Sequence, residues 1–394
     1  MKYRRFGKLD WKVSALGFGA MRLPIIGADR GNVDEDLAIR MMRYAIDHGV
    51  NYLDTAYPYH NGNSEKVVGK ALQDGYRKKI KLATKMPMRL VNAQVDLDKI
   101  FNEQLSRLQT ENIDFYLFHG LNMDSWVKMR DLNALQWAEN KVEEGRIDYL
   151  GFSFHDEYEV FKNIIDGYEG WTFCQILYNY LDMEQQAGVR GLRYAASKGL
   201  AVVVMEPIAG GRLAVPPPTE IQAVWDEAKI KRTPADLALQ WVWGHLEVSI
   251  ALSGMSTMQQ VIENVESANR SGPRTLTKKE LDLITTVKEK YKEHGFIGCT
   301  DCGYCQPCPE GVEIPKILSL INEYYKKQGD QEAQQKIVKQ YYETVPPEKG
   351  VKNCAKCGEC EEKCPQQLPI SKLLEETNFI FETDRIAIRK LAKV

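Results

Sequence analysis

The sequence predicts an α/β protein, a (β/α)8 TIM barrel followed by a small α-helical domain. Three observations carry that expectation. Eight short apolar, β-branched runs recur between Val13 and Ser253, most gaps between them hold an amphipathic stretch, and eight of the nine cysteines crowd between Cys299 and Cys364. Strand alternating with helix means parallel pairing, and eight such units in roughly 250 residues suit a closed barrel better than an open doubly wound sheet. The runs are Val13–Phe18, Val50–Asp54, Ile80–Lys85, Ile113–His119, Ile147–Phe152, Phe173–Leu177, Leu200–Met205 and Val248–Ser253. Between the third and fourth, the stretch DLDKIFNEQLSRL at 96–108 sets Leu97, Ile100, Leu105 and Leu108 on one helical face. The seventh run is followed by the triple proline Pro216–Pro218, a loop expected at the active-site end of a barrel. No G-x-G-x-x-G follows any strand, so a nicotinamide would have to bind in another way than on a Rossmann turn.

The character of the chain changes after Gly272-Pro273, which sets the expected domains at residues 1–272 and 273–394. A polar helix is expected around Thr277–His294. Between the two cysteine segments, EIPKILSLINEYYKKQGDQEAQQKIVKQYYETVPP reads as two helices broken near Gly329.

With 394 residues, 44% of them hydrophobic and 27% charged, the chain is long and apolar enough for a large core. Lys+Arg 52 against Asp+Glu 54 leaves a net charge of -2, so no overall field favours nucleic acid or an anionic membrane, and neither is expected as a partner. The opening MKYRRFGKLDWKVSALGFG has no apolar stretch of signal-peptide length, and LAVVVM at 200–205 is too short to span a bilayer. A cytoplasmic protein is expected, and in a reducing compartment clustered cysteines suggest a metal rather than a disulfide framework.

On such a barrel, catalytic groups gather at the carboxyl ends of the strands. The second run ends in Asp54 with Tyr59 five residues on, the third in Lys85 and the fourth in His119. Singly, each has an ordinary reading: a buried ion pair, a satisfied core histidine, one of 19 tyrosines. Together they form a chemical unit. A phenol with a pKa of about 10 is a poor acid near neutrality, but a lysine ammonium stabilises its phenolate and an aspartate holds the lysine. A histidine beside them hydrogen-bonds a carbonyl oxygen and leaves its carbon open to hydride.

The stretches NYLDTAYPYHNGNSE, KLATKMP and IDFYLFHG, in this order and spacing, resemble the aldo-keto reductase family, as does the opening YRRFGKLDWKVSALGFG. The resemblance runs from about Tyr3 to about Asn269. It implies NAD(P)H-dependent carbonyl reduction with Asp54, Tyr59, Lys85 and His119 as the catalytic tetrad; Tyr57 does not fit the spacing. It further implies that Ser153 and Gln175 hold the nicotinamide carboxamide, and that SGMSTMQQVIENV wraps the adenosine half, with Glu263 and Asn264 at the adenine. Two positions depart from the family. Gly254 and Gln260 stand where NADP-specific members carry a lysine and an arginine for the 2'-phosphate, which suggests NADH. Met205, followed by Glu206, ends the seventh strand where many members stack an aromatic ring, and a thioether is a weaker platform. The ordinary reading of Met205 and Glu206 is a packing pair at the barrel top; of Ser153, a turn or cap residue; and of Gln175, a surface amide.

Cys299, Cys302, Cys305 and Cys308 form C-x2-C-x2-C-x2-C-P, and Cys354, Cys357, Cys360 and Cys364 form C-x2-C-x2-C-x3-C-P. These segments match bacterial ferredoxins, in which three thiolates serve one 4Fe-4S cluster and the fourth reaches the other. By that rule Cys299, Cys302, Cys305 and Cys364 hold one cluster, and Cys308, Cys354, Cys357 and Cys360 the second. Two all-thiolate zinc sites are the competing reading. Cys174 reads as a buried small hydrophobe. The whole chain resembles aldo-keto reductases with a C-terminal ferredoxin-like domain. Three functions are open at this level: a reductase whose two 4Fe-4S clusters relay electrons to ferredoxin or another electron carrier, a plain reductase with structural clusters, or an electron-transfer or redox-sensing protein that turns over no carbonyl.

Overall fold

The computed structural model describes residues 1–293 and 295–391. The chain divides into two compact units, Met1–Ile208 with Arg232–Thr277, and Ala209–Lys231 with Lys278–Val394.

The first unit begins with an antiparallel hairpin, β1 (Tyr3–Arg5) and β2 (Lys12–Ser14). The barrel strands follow: β3 (Leu16–Gly19), β4 (Tyr52–Asp54), β5 (Lys81–Met86), β6 (Ile113–Leu121), β7 (Ile147–Phe154), β8 (Phe173–Leu177), β9 (Ala201–Met205) and β10 (Val248–Gly254). They are parallel and closed, with β10 returning to β3 through Gly254 opposite Gly19. The eight-stranded barrel is as expected, with one correction. The first apolar run is two strands, because the backbone of Val13 pairs with Arg4 in the hairpin and only from Leu16 onward does the chain join β10.

The hairpin also explains which end of the barrel is open. Phe6 has no exposed surface and its ring lies 4.8 Å from Phe115, 5.7 Å from Phe173 and 6.1 Å from Tyr52. These residues start their strands, so aromatic side chains seal the amino end and leave the carboxyl end for chemistry. Around the outside, helix Gln94–Leu108 buries Leu97, Ile100, Leu105 and Leu108 as expected, and Phe101 and Gln104 besides. Each aliphatic side chain removed from water in this way stabilises the fold by roughly 1.5–3 kcal/mol.

In the second unit the chain after β9 carries helix Thr219–Ala228, whose Ile221 is fully buried and which packs on helix Lys278–Glu293. Pro216–Pro218 and their loop therefore sit in this unit. The polar helix expected over Thr277–His294 is Lys278–Glu293; His294 lies outside the described residues. The two helices expected around Gly329 are Ile314–Lys326 and Gln331–Thr344, with Gly329 at φ 89° between them. A short helix Glu359–Glu362 and the helix Ile370–Leu391 complete the unit around a core of Ile317, Leu318, Ile321, Val338 and Phe381. Among the described residues, no helix is long and apolar enough to cross a membrane.

Candidate active site and cysteine centres

Register brings the strand-end residues together. Gly19 opposes Asp54, Asp54 opposes Ala83, and Lys85 opposes Leu117, so β4, β5 and β6 deliver Asp54, Lys85 and His119 to one end of the barrel. After β4 the chain turns back through Tyr59–Gly62, where His60 and Asn61 adopt left-handed backbone angles (φ 52° and 54°). That turn aims Tyr59 at the barrel mouth.

Lys85 has no exposed surface. Its Nζ donates to Asp54 Oδ1 at 2.6 Å, to the Thr55 carbonyl at 2.8 Å and to Tyr59 Oη at 3.5 Å. The His119 ring meets the Tyr59 ring edge to face, centroids 5.9 Å apart. Burial pushes the Asp54 carboxyl up while Lys85 pulls it down, and burial lowers Lys85 against the opposing charges of Asp54 and Glu65. Burial, then the positive charges of Lys85, Arg89 and His155, hold His119 well below 6.5. The imidazole is therefore neutral near pH 7 and able to donate one N–H. Tyr57 is turned elsewhere: its hydroxyl donates to Glu103 Oε2 at 2.8 Å and the Arg107 guanidinium lies 4.2 Å from its ring centroid.

Beside this group, Ser153 and Gln175 are both buried and face each other across β7 and β8. Ser153 Oγ accepts from the Gly120 N–H at 2.8 Å. Gln175 Nε2 lies 3.8 Å from Met205 Sδ, and Gln175 Oε1 is buried with no hydrogen-bond partner. An orphaned amide oxygen inside a barrel mouth is costly unless a donor arrives, and the carboxamide of a nicotinamide is such a donor. These residues thus fit the cofactor. Further along, Gln260 Oε1 accepts from the Ser256 N–H at 2.8 Å, Asn264 Nδ2 donates to Ser253 Oγ at 3.0 Å, and Glu263 takes a bond from Gln259. Gly254 has the stem of Arg22 against it, 3.2 Å from where a Cβ would stand.

Sequence reading missed two features. Arg22 is far from Gly254 in the chain, and nothing but the closure of β10 on β3 brings them together. Glu65 sits on helix Asn63–Ala71 with no exposed surface and is hydrogen-bonded behind Lys85. Its one available signal was a carboxylate on the same helical face as Val68.

In the second unit Cys299, Cys302, Cys305 and Cys364 line one cavity with Ile314 and Leu318. Cys360 has Cys354 and Cys308 as near neighbours. Burial raises the thiols of Cys299 to about 11, Cys305 to about 12 and Cys360 to about 11. Such thiols become thiolates near neutrality only when a metal takes the proton's place, so the donor set fits an iron-sulfur group. Among the described residues, no three His, Cys, Asp or Glu side chains converge on a single-ion site. A further cavity of about 130 Å³ lies beside Cys299, walled by Arg212, Tyr291, Phe296 and Pro315.

Comparison with known proteins points to one family over the barrel and one further domain after it. The profile of the aldo/keto reductase family matches residues 15–289, and that of a 4Fe-4S dicluster domain matches residues 295–368. L-galactose dehydrogenase of Arabidopsis thaliana is 28% identical over 74% of this chain and 96% of its own length. The uncharacterised oxidoreductase YqkF of Bacillus subtilis is 25% identical over 75% of this chain and 99% of its own. The solved structure of an aldo-keto reductase from Bacillus halodurans in its holo form is 31% identical and superposes with a TM-score of 0.60, covering 73% of this chain and 96% of that one.

Proposed function

The chain belongs to the aldo/keto reductase family and carries a 4Fe-4S dicluster domain, and from that premise we propose that it reduces a carbonyl compound, or oxidises the alcohol in reverse, with NAD(H) or NADP(H). The observation that carries the reading is the buried Lys85 bonded to Asp54 and within reach of Tyr59. When bound, the nicotinamide supplies hydride to the carbonyl carbon. Tyr59 gives its phenolic proton to the carbonyl oxygen, completing the alcohol. The Lys85 ammonium stabilises the phenolate left behind, and Asp54 keeps that ammonium charged and in place. Neutral His119 donates to the same oxygen and orients it without repelling the Lys85 charge. Gln175 and Ser153 would hold the carboxamide, Met205 would face the ring, and Gly254, Gln260, Glu263 and Asn264 would border the adenosine half.

We further propose that Cys299, Cys302, Cys305 and Cys364 hold one 4Fe-4S cluster and Cys308, Cys354, Cys357 and Cys360 a second. Such clusters would supply one-electron steps, exchanged with a carrier such as ferredoxin. We propose a cytoplasmic location, in which clustered thiols stay reduced.

Tyr59→Phe keeps the ring and removes only the proton. It is expected to lower reduction of an aromatic aldehyde panel by about 100-fold or more, and full activity would defeat the assignment. Anaerobic addition of NADH and then NADPH should bleach the cluster absorbance near roughly 400 nm; an unchanged band would favour structural clusters.

A further inference from the structure

Behind Lys85 lies a second charged group that the reaction as written does not use. Glu65 Oε1 accepts from Thr84 Oγ1 at 2.7 Å and from Gln104 Nε2 at 2.9 Å. The same Gln104 Nε2 donates to the Lys85 carbonyl at 3.0 Å, and Gln104 Oε1 accepts from Tyr116 Oη at 2.6 Å. On the other side Glu65 Oε2 accepts from Arg107 Nη1 at 3.3 Å. Arg107 also donates to the Tyr57 carbonyl at 3.2 Å, two residues before Tyr59, and to Glu103 Oε1 at 2.6 Å. Gly62, at φ 86°, makes room for it: a Cβ there would stand 3.1 Å from the guanidinium.

Three of these contacts lead to one of two places. Thr84 and the Lys85 carbonyl belong to β5, and the Tyr57 carbonyl belongs to the turn that carries Tyr59. Glu65 and its partners therefore join the strand of the lysine to the turn of the tyrosine. Burial raises the Glu65 carboxyl while its bonds from Thr84, Gln104 and Arg107 pull it back down, and once ionised it acts on its surroundings with little screening.

We propose that Glu65 is a positioning residue for the proton donor: its hydrogen bonds fix the Lys85 strand against the Tyr59 turn, with its carboxylate buried behind the Lys85 ammonium. The inference rests on the reading of Lys85 and Tyr59 as the proton-donating pair. Asp54 from β4, Tyr59 from the turn and His119 from β6 face the lysine at the barrel mouth. Glu65 from its own helix, with Arg107 and Glu103 from Gln94–Leu108, faces it from behind, and Tyr116 of β6 reaches it through Gln104. Arg89 and His155 add positive charge at His119. Of these, Asp54 and Glu65 are the anions whose charge raises Lys85.

The test uses the cluster-loaded full chain with ¹³C-labelled lysine. The Lys85 signal is assigned by its loss in Lys85→Met and followed through a pH titration. In Glu65→Gln, which preserves shape and removes charge, the Lys85 midpoint should move down by about one pH unit, a tenfold change in its protonation. The basic limb for 4-nitrobenzaldehyde reduction should move the same way, and Glu65→Asp should restore both. If the lone Glu65→Gln change fails to fold because Arg107 is left with Glu103 as its one carboxylate partner, the pair Glu65→Gln with Arg107→Met removes both charges, and a smaller downward shift is expected, because losing the Arg107 cation offsets part of the loss of Glu65. An unmoved Lys85 midpoint in a folded variant overturns the inference and leaves the tetrad reading intact. Full activity in Tyr59→Phe overturns the tetrad reading, and the inference with it.

Discussion

Lys85 is charged in a place that offers no water, so its protonation depends on its neighbours. Removing it alone leaves Asp54 buried without a counter-charge, and such a break typically costs about 3–5 kcal/mol. Lys85→Met should therefore be markedly less stable than the parent in urea, while Asp54→Asn with Lys85→Met should recover most of the loss. Equal stability of the single and double variants would mean that the pair is not coupled. His119 gives a pH prediction. Its folded pKa lies below the ordinary 6.5, so the unfolded chain binds more protons there and stability falls as pH drops below about 6.5. Thermal unfolding of the parent against His119→Asn should show a constant difference above that pH and a growing loss for the parent below it. At this scale the sequence showed which residues stand at strand ends, and the structure brings them together. Asp54, Lys85 and His119 end apolar runs, and that position alone drew attention to them. Glu65 escaped notice because a carboxylate on an amphipathic helix normally faces water; only the packing of that helix on β5 turns it inward.

Among elements, helices with a clean apolar period were legible, as Gln94–Leu108 shows. The additions to its buried face are instructive: Gln104 is polar, so an apolar period does not pick it out, yet it is buried with its amide bonded to Glu65 and the Lys85 carbonyl. The first strand was misjudged because a hairpin partner and a barrel partner use the same kind of apolar run, and hydropathy does not say which neighbour each half takes. The loop at Pro216–Pro218 read as a barrel loop because it follows β9; what assigns its segment elsewhere is the packing of helix Thr219–Ala228 on helix Lys278–Glu293, which comes later in the chain. A chain cut after Gly272 should hold that segment without partners. Limited proteolysis is expected to cleave within Ala209–Lys231 in the shortened chain and to spare it in the full one. Protection in both would show that the barrel itself shelters the segment.

For the whole molecule, two units mean two stabilities. The barrel has its own apolar interior, whereas the second unit gathers eight cysteines, among them the buried Cys305 and Cys360, in and around a modest core. Metal bound there contributes directly to folding. Anaerobic chelation of iron should abolish one calorimetric transition and leave the other within a few degrees, so unfolding is not expected to be two-state. A single transition that disappears entirely on chelation would contradict independent units. The fold class and both regions were visible from strand counting and cysteine spacing. The discontinuity of the second unit was not, because adjacency along a chain says nothing of which residues cover a helix made early.

That discontinuity bears on how the protein is made. A ribosome delivers Ala209–Lys231 before β10, and well before any of the cysteines of the second unit. At roughly 5–20 residues per second, the helix Thr219–Ala228 waits on the order of ten seconds for the chain that will cover Ile221. During translation, the barrel must close with this segment looped out. The interval leaves Ile221 uncovered and open to chaperones and proteases until helix Lys278–Glu293 arrives.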